Sequence, residues 1–260
     1  MPTFEGEATV EEFWRQRSEG VYFPQEWDGR LGIDQAYEVQ LGIMERRIAH
    51  GASLVGWKVG LTSPAMQQQF SVFEPGFGNI LEDGPNDGPH SSGTEFAFDS
   101  LIAPTVEHEV CFRLASSLQG PGVDAGQARR AIGEVMPAIE VPETRGDFTR
   151  QLTLAMADNA QEKAIVLGEP IPLGVLDLPA LGVQVFVNGA LAAEGRGDAV
   201  LGDPLNSLAW LANKLAQFGY ALAAGQLIMT GSLTRQLPVA RGDTVLARFD
   251  MLGDTSVSFA

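Results

Sequence analysis

The stretch Ile-Ala-Pro-Thr-Val-Glu-His-Glu-Val-Cys-Phe-Arg-Leu, residues 102–114, decides how the chain is read. Its alternation and its Val, Phe and Leu content predict a β-strand. Side chains alternate faces along a strand, so Glu107 and Glu109 share one face. Two like charges flanked by apolar neighbours repel each other and lose hydration. A hard divalent cation such as Mg²⁺ or Mn²⁺ would relieve both costs, because oxygen ligands suit these ions. A solvated acidic edge strand is the plain alternative. Cys111 falls on the same face and reads as a small buried residue rather than a nucleophile.

A third carboxylate lies in a second short apolar run, Val135-Met-Pro-Ala-Ile-Glu-Val-Pro142. Glu140 there needs a partner if the strand is buried, and Arg145, Lys58 or a metal could serve. Lys58 sits in Gly56-Trp-Lys-Val-Gly-Leu-Thr-Ser63, a third strand-like run. Buried, it would hold a carboxylate or move protons. On a solvated face it would do neither. Arg145 could grip a carboxylate in bidentate fashion, or pair with Glu143 or Asp147. Asp158-Asn159 reads as a turn or a cap. The run 231–234 offers the hydroxyls of Ser232 and Thr234 at a strand end, where turn chemistry would also place them.

Around these runs the pattern is mixed. Residues 8–19 and about 34–49 read as helices, the second with Asp34 as a cap. Residues 74–93 are rich in Gly and Pro and read mostly as loop. Residues 124–134 suggest a helix. The segment 182–189 alternates and ends in Asn-Gly, a hairpin signal. Asp203-Pro204 opens a helix expected to run to about Phe218. Residues 226–231, 244–251 and 255–259 read as strands. Short strands with a few helices between them indicate α+β.

At 260 residues the chain can bury one large core. A net charge of −16 argues against nucleic acid and against an anionic membrane surface. It does not exclude a local basic pocket for an anionic substrate. No apolar run approaches a membrane span, and the N-terminus lacks the pattern of a signal peptide. The single cysteine, Cys111, allows no intrachain disulfide. A cytoplasmic location is expected.

Several runs together resemble the hydratase/decarboxylase branch of the fumarylacetoacetate hydrolase superfamily. They are Gly56-Trp-Lys-Val-Gly-Leu-Thr-Ser63, Val106-Glu-His-Glu109, Met136-Pro-Ala-Ile-Glu-Val141, Ala157-Asp-Asn-Ala160, Gly202-Asp-Pro-Leu205, Trp210-Leu-Ala-Asn-Lys-Leu215 and Gly225-Gln-Leu-Ile-Met-Thr-Gly-Ser232. The resemblance implies a rolled, mixed β-structure with peripheral helices, within the α+β class. It divides the chain into an N-terminal helical segment, 1–52, and a catalytic domain, 53–260. It implies a homo-oligomeric lyase that binds Mg²⁺ or Mn²⁺ and acts on small 2-oxo acids from aromatic catabolism. Glu107, Glu109 and Glu140 match the metal-binding carboxylates. Lys58 matches the active-site lysine, Arg145 the arginine after the third ligand, and Asp158-Asn159 a pair near the pocket.

The expected reaction is hydration of a 2-oxo-enoate through a metal-stabilised enolate. Decarboxylation of a 4-oxalocrotonate-like diacid is the alternative, and a non-catalytic 2-oxo acid binder is a third. One departure bears on the choice. Hydratases of this type read Glu-Pro-Asp-Phe/Tyr-Gly where this chain has Glu74-Pro-Gly-Phe-Gly78, so Gly76 stands in place of an acid. Glu74, Glu82 and Asp83 are candidates to replace it.

Overall fold

The computed structural model describes residues 2–63, 67–68, 72 and 74–260. Two helices open the chain, α1 (Glu7–Ser18) and α2 (Ile33–Ala49). Then come β1 (Ser53–Gly60), β2 (Gly76–Glu82), β3 (Gly88–Ser91), β4 (Thr94–Phe96), β5 (Thr105–Leu114), α3 (Ala125–Ala131) and β6 (Ile132–Val141). The next elements are α4 (Leu152–Ala157), β7 (Ala164–Leu167), β8 (Ile171–Pro172), β9 (Gly182–Val187) and β10 (Ala190–Arg196). Helix α5 (Pro204–Ala216) precedes β11 (Leu227–Ser232), β12 (Leu237–Pro238), β13 (Thr244–Phe249) and β14 (Gly253–Phe259).

The larger sheet runs β2-β1-β11-β5-β6-β7-β3, with β12 added beside β5 and β8 beside β6. The pair β1–β11 is parallel, whereas β11–β5 and β5–β6 are antiparallel. The last strand, β3, returns against the end of β2, so the sheet is rolled. A Cβ on Gly88 would come within 3.1 Å of the Leu81 carbonyl oxygen. The smaller sheet runs β10-β9-β13-β14-β4 and packs across β6 and β7. Mixed strands and peripheral helices are what the α+β reading of the sequence requires.

Alternation along the strands sorts the residues of the roll. Trp57, Val59 and Phe77 join the large core that lies under the helices and the second sheet. There Phe77 stacks on Tyr37 at 4.2 Å between ring centroids. The opposite face of the roll holds a separate apolar cluster of Ile80, Cys111, Met136, Ala138, Ile165, Leu227 and Met229. Burial pushes the Cys111 thiol up to about 12, as expected for an inert buried cysteine.

Several local expectations hold. The Asp203 side chain accepts from Leu205 N at 2.8 Å and caps α5, with Pro204 at its first position. Asn188 and Gly189 turn between β9 and β10 with φ of 52° and 81°, the left-handed pair a tight hairpin needs. Others are corrected. The α2 cap is Gly32, whose N–H donates to the Gln35 side chain, while Asp34 lies inside the first turn. The helix expected over 124–134 stops at Ala131, where Ile132 starts β6. Residues 74–93 are not mostly loop. Gly76, Gly78 and Gly88 sit inside β2 and β3, where pairing with β1 and β7 overrides local propensity.

Candidate metal centre and active site

Strands β5 and β6 bring the three carboxylates together. Glu107 lies directly opposite Glu140 in the register, and Glu109 stands two residues along the same face. One oxygen from each of Glu107, Glu109 and Glu140 falls within 4.8 Å of the others. Glu109 and Glu140 are fully buried, and Glu107 is half-buried at the rim. Glu109 Oε1 and Glu140 Oε2 have no partner, and Glu140 Oε1 has only the ion pair with Lys58. Burial, aided by Glu140, pushes the Glu107 carboxyl up to about 7. Burial, aided by Glu140 and Glu107, raises Glu109 further. Carboxylates stripped of water, unpartnered and converging need a counter-charge. Three oxygen donors with one position at an open rim fit Mg²⁺, which keeps sites for water or substrate.

A β-bulge completes the support of Glu109. Between Met229 and Ser232 the β11–β5 register shifts, and Gly231 takes φ 113°. Its N–H then donates to Glu109 Oε2 at 2.8 Å. A Cβ at this position would strike Thr62 Oγ1 at 2.4 Å, so both the conformation and the space call for glycine.

Lys58 projects from β1 into the same space. It is buried, with Nζ 3.1 Å from Glu140 Oε1 and donating to the Ala160 carbonyl at 3.1 Å. Burial works against its charge, but Glu140, Glu107 and Glu109 outweigh this and raise its pKa. Lys58 is therefore an ammonium facing the carboxylates, and the solvated-face alternative is removed by its burial.

The loop after α4 is strained. Asn159, Ala160 and Gln161 have φ of 59°, 47° and 62°, three successive left-handed residues. Asn159 clamps it to β2. Its Oδ1 accepts from Asn79 N at 2.7 Å, and its Nδ2 donates to Asn79 O at 2.8 Å. Arg145 fixes the other side, donating to Asp158 Oδ2 at 2.6 Å, to Glu143 Oε2 at 3.0 Å and to the carbonyls of Asp158 and Glu162. Arg17 of α1 also donates to Asp158, and both guanidiniums lie near the Tyr22 ring, at 5.0 and 5.3 Å from its centroid. The Arg145 side chain is only 1% exposed. Its donors are taken by protein acceptors, and Asp158 is equally committed. Both therefore brace the loop rather than open onto the carboxylates. This differs from the expectation that Arg145 would recognise an anion. Of the partners open to it, Arg145 takes Glu143 and not Asp147.

Ser232 Oγ accepts from His108 N at 3.2 Å, and Thr234 Oγ1 lies 2.9 Å from His108 Nδ1. Both hydroxyls thus engage β5 beside the metal ligands. His108 points to the other face and is buried, which lowers it to about 4. None of the acids considered as replacements at Gly76 faces the carboxylates. Glu74 pairs with Lys214 at 3.0 Å, Asp83 pairs with Arg47 at 2.7 Å, and Glu82 is exposed. A Cβ at Gly76 itself would meet Met156 Sδ at 2.9 Å, so a side chain there would require Met156 to move. Sequence reasoning missed Glu162. It lies at the end of the strained loop, buried, with Oε1 unpartnered and Oε2 3.4 Å from Asn159 Nδ2. Nothing in the polar run Gln161-Glu162-Lys163 marks it as buried.

Residues 99–259 match the fumarylacetoacetate (FAA) hydrolase C-terminal family. The chain belongs to the fumarylacetoacetate hydrolase family. Among curated relatives it is 36% identical to 2-oxo-hept-4-ene-1,7-dioate hydratase of Escherichia coli over 239 residues, covering 88% of this chain and 87% of the other. It is 38% identical to 4-oxalocrotonate decarboxylase of Pseudomonas sp. (strain CF600) over 228 residues, covering 86% and 84%. Among solved structures it resembles 4-oxalocrotonate decarboxylase from Pseudomonas putida G7, complexed with magnesium and adipate. That match has a TM-score of 0.91 and 32% identity and covers 100% of both chains. The rolled sheet is therefore the family fold that the sequence motifs implied.

Proposed function

We propose that this protein is a Mg²⁺-dependent lyase that hydrates a small 2-oxo-enoate, the product of a 2-hydroxydienoate, in the breakdown of aromatic compounds. The observation that carries this reading is the trio Glu107, Glu109 and Glu140, buried with unpartnered oxygens and with Lys58 beside it. Similarity to hydratases over most of the chain supports it. When bound by these carboxylates, Mg²⁺ supplies Lewis-acid stabilisation of negative charge on a 2-oxo oxygen. The ammonium of Lys58 is set to hold a substrate carboxylate or to move a proton. Asn159 and Asp158 hold the loop that carries the Ala160 carbonyl to Lys58, and Arg145 locks that loop from behind. Ser232, opposite Glu109 in the register, is a candidate for a substrate hydrogen bond, whereas Thr234 lies against the His108 ring on the other face of β5. The protein works as a homo-oligomer in the cytoplasm on this reading. No helix among the described residues is long and apolar enough to cross a membrane.

Decarboxylation of a 2-oxo diacid is the second reading, and a specific observation favours it. The glycine at 76 leaves the start of β2 without an acid, and a structural match covering both chains in full is to a decarboxylase. Product mass separates the two. Incubation with Mg²⁺ and 2-hydroxydienoates of five to seven carbons should add one water. Release of CO₂ from 4-oxalocrotonate, with no hydration of any dienoate, would replace the first reading with the second. Silence on all of them would favour a binding protein.

A further inference from the structure

The buried acids among the described residues are Glu109, Glu140, Glu143, Asp158 and Glu162. Glu143 and Asp158 are ion-paired to Arg145. Glu109 and Glu140 belong to the metal-binding trio. Glu162 alone of the five has neither role. It is 6% exposed and makes no salt bridge, and its Oε1 has no hydrogen-bond partner. A buried unpartnered oxygen costs on the order of 1–3 kcal/mol, so its retention asks for a use.

The loop that Glu162 ends borders the site. Glu162 ends the left-handed turn whose preceding carbonyl, at Ala160, receives the Lys58 ammonium. Its other oxygen touches the Asn159 amide that clamps β2. The backbone is held as firmly, since Glu162 N donates to Asn159 O and its carbonyl accepts from Arg145. On β2 the neighbouring position is filled. A Cβ at Gly78 would lie 3.1 Å from Asn159 Oδ1 and 3.2 Å from Lys58 Cε. The Gly78 backbone thus lies against Asn159 and Lys58, beside the loop that Glu162 ends.

We propose that Glu162 is the acid that delivers a proton to substrate carbon in this site. The proposal rests on the 2-oxo acid reading above and names a residue for its protonation step. As the dienolate forms, the enol proton leaves to solvent. The Glu162 O–H bond then breaks, and the electron pair of the dienolate forms a C–H bond at the far end of the conjugated system. The product is the unsaturated 2-oxo acid, and the Glu162 carboxylate recovers its proton from solvent. The group is suited to this. Burial first, and then Glu140 on β6, push it up to about 8 against the opposing charges of Lys58 on β1, Arg47 on α2 and Arg145. Burial thus favours the protonated form, and Oε1 has no hydrogen bond to break.

The test uses the full-length Mg²⁺-loaded protein and Glu162→Gln, which keeps the shape and the Asn159 contact. The wild type should show, at pH 7, an infrared carbonyl band of a protonated carboxyl that is missing from the variant. Absence of such a difference overturns the proposal without reference to any substrate. With a converted dienoate, Glu162→Gln should lower kcat by roughly 10²–10⁴-fold while KM and Mg²⁺ affinity stay within about threefold. An active wild type with an unimpaired Gln variant overturns the proposal and leaves the function reading standing. A wild type silent on every substrate overturns both. Should the Gln variant not fold, Glu162→Asp replaces it. Loss of more than about tenfold in kcat at unchanged Mg²⁺ affinity supports the assignment, and unchanged kcat overturns it.

Discussion

Two buried charged clusters lie on either side of the loop at 158–162, and they are built on opposite principles. Behind the loop, Arg17 and Arg145 face Asp158 and Glu143, two cations against two anions, with both guanidiniums near the Tyr22 ring. Every Asp158 and Glu143 oxygen named there has a donor. In front of it, one ammonium, Lys58, faces Glu107, Glu109 and Glu140, and several of their oxygens have none. The first cluster spends its charges on holding the chain. The second leaves an excess of negative charge and unpartnered acceptors in a largely buried place. A buried charge without a partner is strongly destabilising, so such an imbalance marks where a ligand completes the structure.

The difference can be broken from either side. Arg145→Met should cost the most stability, about 3–5 kcal/mol, because Asp158 and Glu143 lose a buried partner. Urea unfolding measures this, and a loss below about 1 kcal/mol would mean that the cluster is not a brace. Lys58→Met should act on the other side. We expect kcat/KM to fall by roughly 10²-fold or more, with a small change in the melting temperature of the Mg²⁺-loaded protein. Activity close to wild type would return Lys58 to a structural role. Gly231→Ala tests the bulge. By displacing the N–H that holds Glu109, it should weaken Mg²⁺ binding by roughly 10–100-fold, read by calorimetry.

The smallest effect is on pH dependence. In metal-free protein the Glu107 carboxyl is pushed up to about 7 from 4.5, and Glu109 is raised further. The folded state then holds protons that the unfolded chain has released, so metal-free stability falls as pH rises from about 4.5 through 7. Mg²⁺ binds the deprotonated carboxylates, so its stabilising effect grows over the same window. Melts at pH 5 to 8 with and without Mg²⁺ should show the gap widening by on the order of 1–2 kcal/mol. A gap that narrows with pH would contradict the account.

The contrast also explains what could be read from the sequence. Glu107 and Glu109 were legible because strand periodicity puts them on one face without further information. Glu140 was legible because an acid in an apolar run must be explained. Lys58 followed for the same reason. Arg17 was not, because its partner Asp158 lies 141 residues away and no local pattern announces the pairing. Gly231 and Glu162 depend on a register shift and on a left-handed turn, and neither conformation has a periodic signature. Gly76 misled in a different way. A glycine in a Gly- and Pro-rich stretch suggested loop, whereas it is a strand position packed against Met156.

The central claim is that Glu107, Glu109 and Glu140 form one divalent-metal site. Mg²⁺ titration of the chelator-stripped protein, followed by calorimetry, tests it most directly, with Glu109→Gln and Glu140→Gln beside the wild type. The account predicts one site per chain in the wild type and loss of that binding in both variants, each still folded by circular dichroism. Undiminished Mg²⁺ binding in either folded variant would contradict it.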